Sequence, residues 1–361
     1  MSKQNECSGI ERNDARVDIY DWLRLVATIY VVIGHSAYFN IQSTFGGVAY
    51  ELPENISATY GSSVMHFFRY LSEWVYGFHM PLFFILSGAV LALKPIGRFD
   101  TFVKSKIKRL IIPYFAFGLL FMLPIKYIGG FYNQYSIFLA MQGFLSGLEA
   151  GHLWFLTALF WCLIVFAVIE KIAIKFCIDS RYLLLMISCV IQLTYAYIPF
   201  NVLGMKTGLS YIFWFALGFV FEKERQEHGL WNIKKTLLAY VILTAIEFAH
   251  KRYGILNNFF VIFCGSMHTF LLADILSRAL KKVTKTKGWK VITRNLFYVY
   301  LLHDPLEYIV LRLFIERNLL SSSFGCYSYV FCRIIIVLVI SLVGGELIRF
   351  IKKKSVKILA D

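Results

Sequence analysis

Two ionisable side chains stand in an otherwise apolar run near the start of the chain. In YDWLRLVATIYVVIGHS, residues 20 to 36, Arg24 and His35 interrupt a stretch of Leu, Val and Ile. A charged group at bilayer depth costs roughly 3 kcal/mol on insertion scales, so such residues mark a function or a water-filled cavity. Eleven steps of about 100° return to within about 20° of the start, which puts both on one helical face, roughly 16 Å apart along the axis. Asp21 lies on the same side of the helix and can pair with Arg24. A neutral imidazole on such a face can take a proton from a hydroxyl, which is general-base chemistry. The alternative is structural: Arg24 snorkels beside Asp21, and His35 bonds to a neighbouring helix.

Four other stretches carry polar chemistry. The run Lys104, Lys106, Lys108, Arg109 satisfies the positive-inside rule, and it could equally clamp phosphates with charge-assisted donors. His79 precedes Pro81 at the head of an apolar segment that also holds Ser87 and Gly88, where Gly88 suits close helix packing. Glu149, His152 and Trp154 form either an interfacial belt or a sugar-binding site, since aromatic rings stack on sugar faces. In YLLHDPLEY, residues 300 to 308, His303, Asp304 and Glu307 are expensive in lipid unless they face the bundle, and His303 is the natural second histidine of a site. Glu247, His250, His268 and Asp274 sit near predicted helix ends and read as solvated caps. The seven cysteines form no CxxC pair, so inert thiols are expected, and no metal site.

The elements that must position these residues are helices in a membrane. Of 361 residues, 58% are hydrophobic, 17% aromatic and 16% charged, which no soluble domain of this size shows. Apolar runs of about 20 residues, each able to cross roughly 30 Å of hydrocarbon, define an all-α polytopic integral membrane helical bundle. Spans are expected near 22–40, 71–93, 110–124, 152–169, 182–199, 209–221, 236–250, 255–277, 295–314 and 327–348, about ten transmembrane helices. On that topology 28 of the 37 Lys and Arg fall on one side and six on the other, with Arg24, Arg312 and Arg333 inside spans. Both termini are therefore expected to be cytoplasmic, with Arg24 near that rim and His35 about mid-membrane. The net charge of +15 then reflects topology rather than nucleic acid. The first 21 residues lack the short apolar core of a cleavable signal, so the expected division is a cytoplasmic tail over 1–21, a single transmembrane domain over 22–350, and a basic cytoplasmic tail over 351–361. No appended soluble domain is expected.

The first stretch resembles the opening helix of the membrane acyltransferase family 3, whose signature is an arginine, ten residues, then a histidine. Arg24 and His35 match that spacing, and Asp21 stands where the family's Asp-x-Leu-Arg pattern puts its aspartate. FHMPLFFILSGAVLAL (78–93), KSKIKRLIIPYF (104–115), HLWFLTALF (152–160) and YLLHDP (300–305) resemble later motifs of the family in the same order. The family's Arg-x-x-Arg is here Lys106-x-x-Arg109, which keeps the charge and loses one planar fork.

The resemblance implies an O-acyltransferase of the bacterial inner membrane. Its donor would be acetyl-CoA, or another short acyl-CoA, bound from the cytoplasm by Lys104, Lys106, Lys108, Arg109 and Arg24. Its acceptor would be a hydroxyl of a cell-surface glycan or lipid-linked sugar precursor, met by His79, Glu149, His152, Trp154 and Asp304. His35 would act as base or acyl relay, supported by Arg24, Asp21 and His303. The rival class is a transporter or flippase of lipid-linked saccharides, which predicts broken helices in corresponding halves; no such repeat is visible.

Overall fold

A computed structural model describes residues 18–36, 38–43, 45–51, 64–132 and 136–358. The sequence expectations for the first 17 residues, Cys7 included, and for 359–361 lie outside the described residues. Apart from one short hairpin, the regular structure described is helical. In chain order it comprises α1 (Asp18–Ser36), the antiparallel strands β1 (Asn40–Ser43) and β2 (Gly46–Ala49), α2 (Val64–Tyr76) and α3 (His79–Ala92). The long run α4 (Phe99–Ile128) follows, then α5 (Ile137–Ser146), α6 (Trp154–Phe176) and α7 (Ser180–Thr194). The remainder is α8 (Met205–Ser210), α9 (Ile212–His228), α10 (Ile233–Tyr253), α11 (Asn258–Ala279), α12 (Lys287–Glu316) and α13 (Ser323–Ile358).

Four segments are long and apolar enough to cross a membrane: Phe99–Ile128, Ile137–Phe176, Asn258–Ala279 and Ser323–Lys353. Two bent pairs, Phe68–Tyr76 with His79–Ala92 and Val202–Ser210 with Ile212–His228, raise the number to six if each is one span. The ten spans expected from sequence are thus not matched by ten such helices. α1 and α12 are absent from the set, and both carry the ionisable residues that interrupt the apolar pattern. Large exposed apolar side chains such as Leu120, Met186, Leu193, Leu238 and Val343 cover the outside, as a lipid-facing surface requires.

Helix irregularities follow from named residues. A proline lacks the N–H that would reach the carbonyl four residues back. Within α4, π-helical turns at Ile107–Ile111 and Gly118–Met122 lead directly into the turns holding Pro113 and Pro124. The basic run expected as a loop is therefore helical: Lys104 and Lys106 end a regular segment, and Lys108 and Arg109 lie in the first π turn. Between α2 and α3 the chain bends by 49° at Gly77 and Phe78. α3 and α9 cross at glycines, because a Cβ on Gly88 would fall 2.0 Å from the Phe215 carbonyl oxygen and one on Gly218 1.9 Å from that of Ile85. α1 packs against α2, α3, α11, α12 and α13, so its polar face looks into the bundle.

The residues expected as solvated caps are mostly buried and bonded. Asp274 accepts from Arg278 Nε at 2.9 Å and Thr236 Oγ1 at 3.1 Å. His268 meets Thr244 Oγ1 at 3.1 Å and lies 3.5 Å from the Glu247 carboxylate. Only His250 acts as a terminal cap, accepting from the Leu256 N–H at 3.0 Å. His268 lies at the middle of α11 rather than at its end, and polar groups packed inside a bundle do not meet water, so they pair with each other.

Candidate active site

One cavity of about 1410 Å³ runs through the bundle, and most of the ionisable residues singled out from sequence border it. At one end lie Arg24, Lys94, Lys106, Arg109 and Arg294; deeper in are His35, Tyr76, His79, His152, His303, Asp304, Glu307 and Arg333. Tyr38, Asn40, Gln42 and Ser43 bring the hairpin to the same cavity. Arg24 and His35 share it, as their spacing requires. His35 is the penultimate residue of α1, so the helix ends at Ser36, short of the 22–40 span expected from sequence.

The imidazoles form a chain. The ring centroids of His35 and His303 are 5.3 Å apart, and those of His303 and His152 are 5.0 Å apart. The Tyr76 hydroxyl lies 3.0 and 3.1 Å from the two ring nitrogens of His35, and its ring touches His79 at 4.7 Å. His79 is 6% exposed and bonds through Nδ1 to the Val75 carbonyl at 3.1 Å. The bend after Tyr76 is what brings both residues to the cavity.

The HDP sequence in α12 explains the other two rings. Pro305 cannot bond to the carbonyl of Leu301, and His152 Nε2 takes that freed oxygen at 3.0 Å. His152 Nδ1 then faces Asp304 Oδ2 at 3.3 Å. His303 Nδ1 donates to the Tyr300 carbonyl at 2.6 Å, which leaves its Nε2 as an acceptor toward the cavity residues. Proline and histidine are thus two halves of one device: the kink exposes a carbonyl, and a side chain from another segment orients itself on it.

Glu149 does not border the cavity as an acceptor-binding acid would. It is 2% exposed, accepts from Lys126 Nζ at 2.9 Å and from the Tyr132 hydroxyl at 3.3 Å, and presents Lys126 instead. An uncompensated carboxylate there would be costly, so the pair is mutual. Trp154 borders the cavity and packs on Tyr211, with ring centroids 5.6 Å apart. Ser87 also borders it, but its hydroxyl donates to the Phe83 carbonyl at 2.7 Å.

At the basic end, Arg24 pairs with Asp21 at 3.5 Å, with side chains 38% and 7% exposed. Asp21 is a buried anchor for the arginine rather than a cavity group. Of the four bases expected to act together, Lys106 and Arg109 border the cavity, while Lys104 and Lys108 point elsewhere on the same helix. The sequence expectations omitted Tyr76, Lys126 and Arg333 as site residues. Lys126 and Arg333 carry the same signal as Arg24, an isolated charge in an apolar run. Tyr76, one of 22 tyrosines, carries none.

No curated protein and no solved structure matches the chain. The family model described as an acyltransferase domain, Acyl_transf_3, matches residues 17–345, nearly the whole chain, with both the Arg24–His35 helix and the His303 helix inside it. The chain belongs to that family and is a membrane acyltransferase.

Proposed function

We propose that the protein is an O-acyltransferase that moves an acyl group, acetyl above all, from acyl-CoA to a hydroxyl of a cell-surface glycan or its lipid-linked precursor. The observation that carries this reading is the single cavity joining a cluster of Arg and Lys to a chain of imidazoles. A coenzyme A thioester has matching halves: phosphates that need charged donors, and a narrow arm ending in the reactive carbonyl. Arg24, Lys106 and Arg109 hold the phosphates at the cytoplasmic face of the inner membrane. The arm follows the α1 face, roughly 16 Å from Arg24 to His35, to the reaction point.

There His35 accepts the proton of the acceptor hydroxyl as its oxygen attacks the thioester carbon. The C–S bond breaks, the leaving thiolate takes the proton back from the imidazolium, and the products are the O-acyl ester and the free thiol. His303 Nε2 offers a second proton acceptor, and an acyl-imidazole relay on His35 would use the same pair. Trp154 and the hairpin residues Asn40 and Gln42 offer a stacking face and hydrogen bonds to a sugar. His152 and Asp304 line the acceptor's path.

The test is acetyl-CoA binding and turnover by the purified full chain in nanodiscs. Wild type should bind; Lys106→Ala with Arg109→Ala should lose affinity; His35→Ala should bind and fail to release thiol. A folded wild type that does not bind acetyl-CoA would overturn the donor assignment, and a His35→Ala variant with normal turnover would overturn the role of that residue.

A further inference from the structure

The last carbonyls of a helix have no partner within it, and a membrane interior offers no water to take them. At the end of α1 the Ile33 and His35 carbonyls are met locally, by Ser36 Oγ and the Tyr38 N–H, and those of Gly34 and Ser36 are met from other helices. Ser72 Oγ donates to the Gly34 carbonyl at 2.5 Å. Arg333, from α13, donates through Nη1 to the Ser36 carbonyl at 3.1 Å and the Tyr38 carbonyl at 2.6 Å. Its Nη2 reaches Glu307 Oε2 at 3.3 Å, and Glu307 is one turn beyond His303 on α12. One guanidinium thus spans the backbone next to His35 and the helix that bears His303. A planar fork with five donors can hold both; a lysine ammonium at the same place could not.

We infer that Arg333 is a positioning residue for acyl transfer, setting the His35 and His303 rings at their 5.3 Å spacing by clamping the end of α1 to α12. This rests on the proposed role of His35 as the group that takes the acceptor's proton. Arg333 and Glu307 are each 1% exposed, and replacing such a pair by apolar residues is often neutral or stabilising, so stability alone does not account for keeping it. Both residues also border the cavity, and Arg333 Nε and Glu307 Oε1 find no hydrogen-bond partner among the described residues. Arg333 acts through the α1 backbone and not on the reacting atoms.

The experiment uses the full chain in nanodiscs with acetyl-CoA as probe, comparing wild type, Arg333→Lys and the double variant Arg333→Met with Glu307→Leu. The double variant removes both buried charges together, so folding is not burdened by a lone carboxylate. Three quantities are read: acetyl-CoA affinity, thiol release, and the rate at which diethyl pyrocarbonate modifies His35, followed by peptide mass spectrometry. The expected result is unchanged donor affinity with thiol release down about 100-fold in both variants, the effect of displacing a reacting group by about 1 Å. His35 modification should change in rate. A folded double variant with wild-type turnover would overturn the inference and leave the acyltransferase reading standing. If wild type itself does not bind acetyl-CoA, the donor reading falls, and an unchanged His35 modification rate in the double variant would overturn the positioning role independently.

Discussion

The two ends of the cavity are built on opposite principles. At the basic end the side chains are long and partly exposed: Arg24 is 38% exposed and pairs with Asp21 at 3.5 Å, and Arg109 is exposed on a π turn. At the imidazole end each ring has a named anchor: Tyr76 on His35, the Tyr300 carbonyl on His303, the Leu301 carbonyl on His152. In the proposed function the donor's phosphates would be held by the sum of several exposed charges, each worth little alone and weakened by salt. Proton transfer depends on where one nitrogen sits. Affinity should therefore decline gradually with substitutions at the first end, and rate should collapse with one substitution at the second.

The largest expected effect is at His35. His35→Ala should lower thiol release by about 10²–10⁴-fold, the usual contribution of a positioned base, with acetyl-CoA affinity kept. A loss of affinity with intact turnover per bound donor would erase the distinction between the ends.

Next comes the buried Lys126–Glu149 pair, of which only Lys126 borders the cavity. Lys126→Ala leaves Glu149 unpaired at 2% exposure and should cost about 3–5 kcal/mol, read as a lower melting temperature. Lys126→Met with Glu149→Leu should recover most of it. If the double variant is as unstable as the single one, the pair does more than compensate its own burial.

At the basic end the steps are smaller. Lys106→Ala and Arg109→Ala should each weaken acetyl-CoA binding by about 1.5 kcal/mol, roughly tenfold, and flatten its salt dependence. The smallest effect is expected at Lys104 and Lys108, which share the helix without bordering the cavity. Their joint replacement by Ala should change affinity by no more than about 0.5 kcal/mol. A tenfold loss there would mean that the whole basic run, and not the Lys106–Arg109 face, holds the donor.

Much of the site was legible because lipid makes polar residues conspicuous. Arg24, His35, His303 and Asp304 stand out in apolar runs, and all four border one cavity. The same rule applied to Arg333 and Lys126 would have marked them too, but the charge count places Arg333 in a span and Lys126 on one side of the membrane without asking what either touches. Glu149 shows the reverse case, an acid next to a candidate His and Trp that turns its carboxylate to Lys126. Sequence adjacency says nothing about which way a loop side chain faces. Hydropathy registers an apolar run without showing where it breaks, and the structure divides the expected 71–93 span into α2 and α3, bent by 49°.

By itself the sequence determined the membrane class, the family, the shared face of Arg24 and His35, and the proline in α12. These are properties of composition, helical period and covalent structure, and they need no long-range contact. Only the tertiary structure decided that four histidines from three distant parts of the chain meet around one cavity, that the carbonyl freed by Pro305 orients His152, and that Arg333 clamps the end of α1. Each of those depends on segments far apart in the chain packing side by side. Buried polar groups without water must then find one another across that packing, and a one-dimensional pattern does not say which partner each will find.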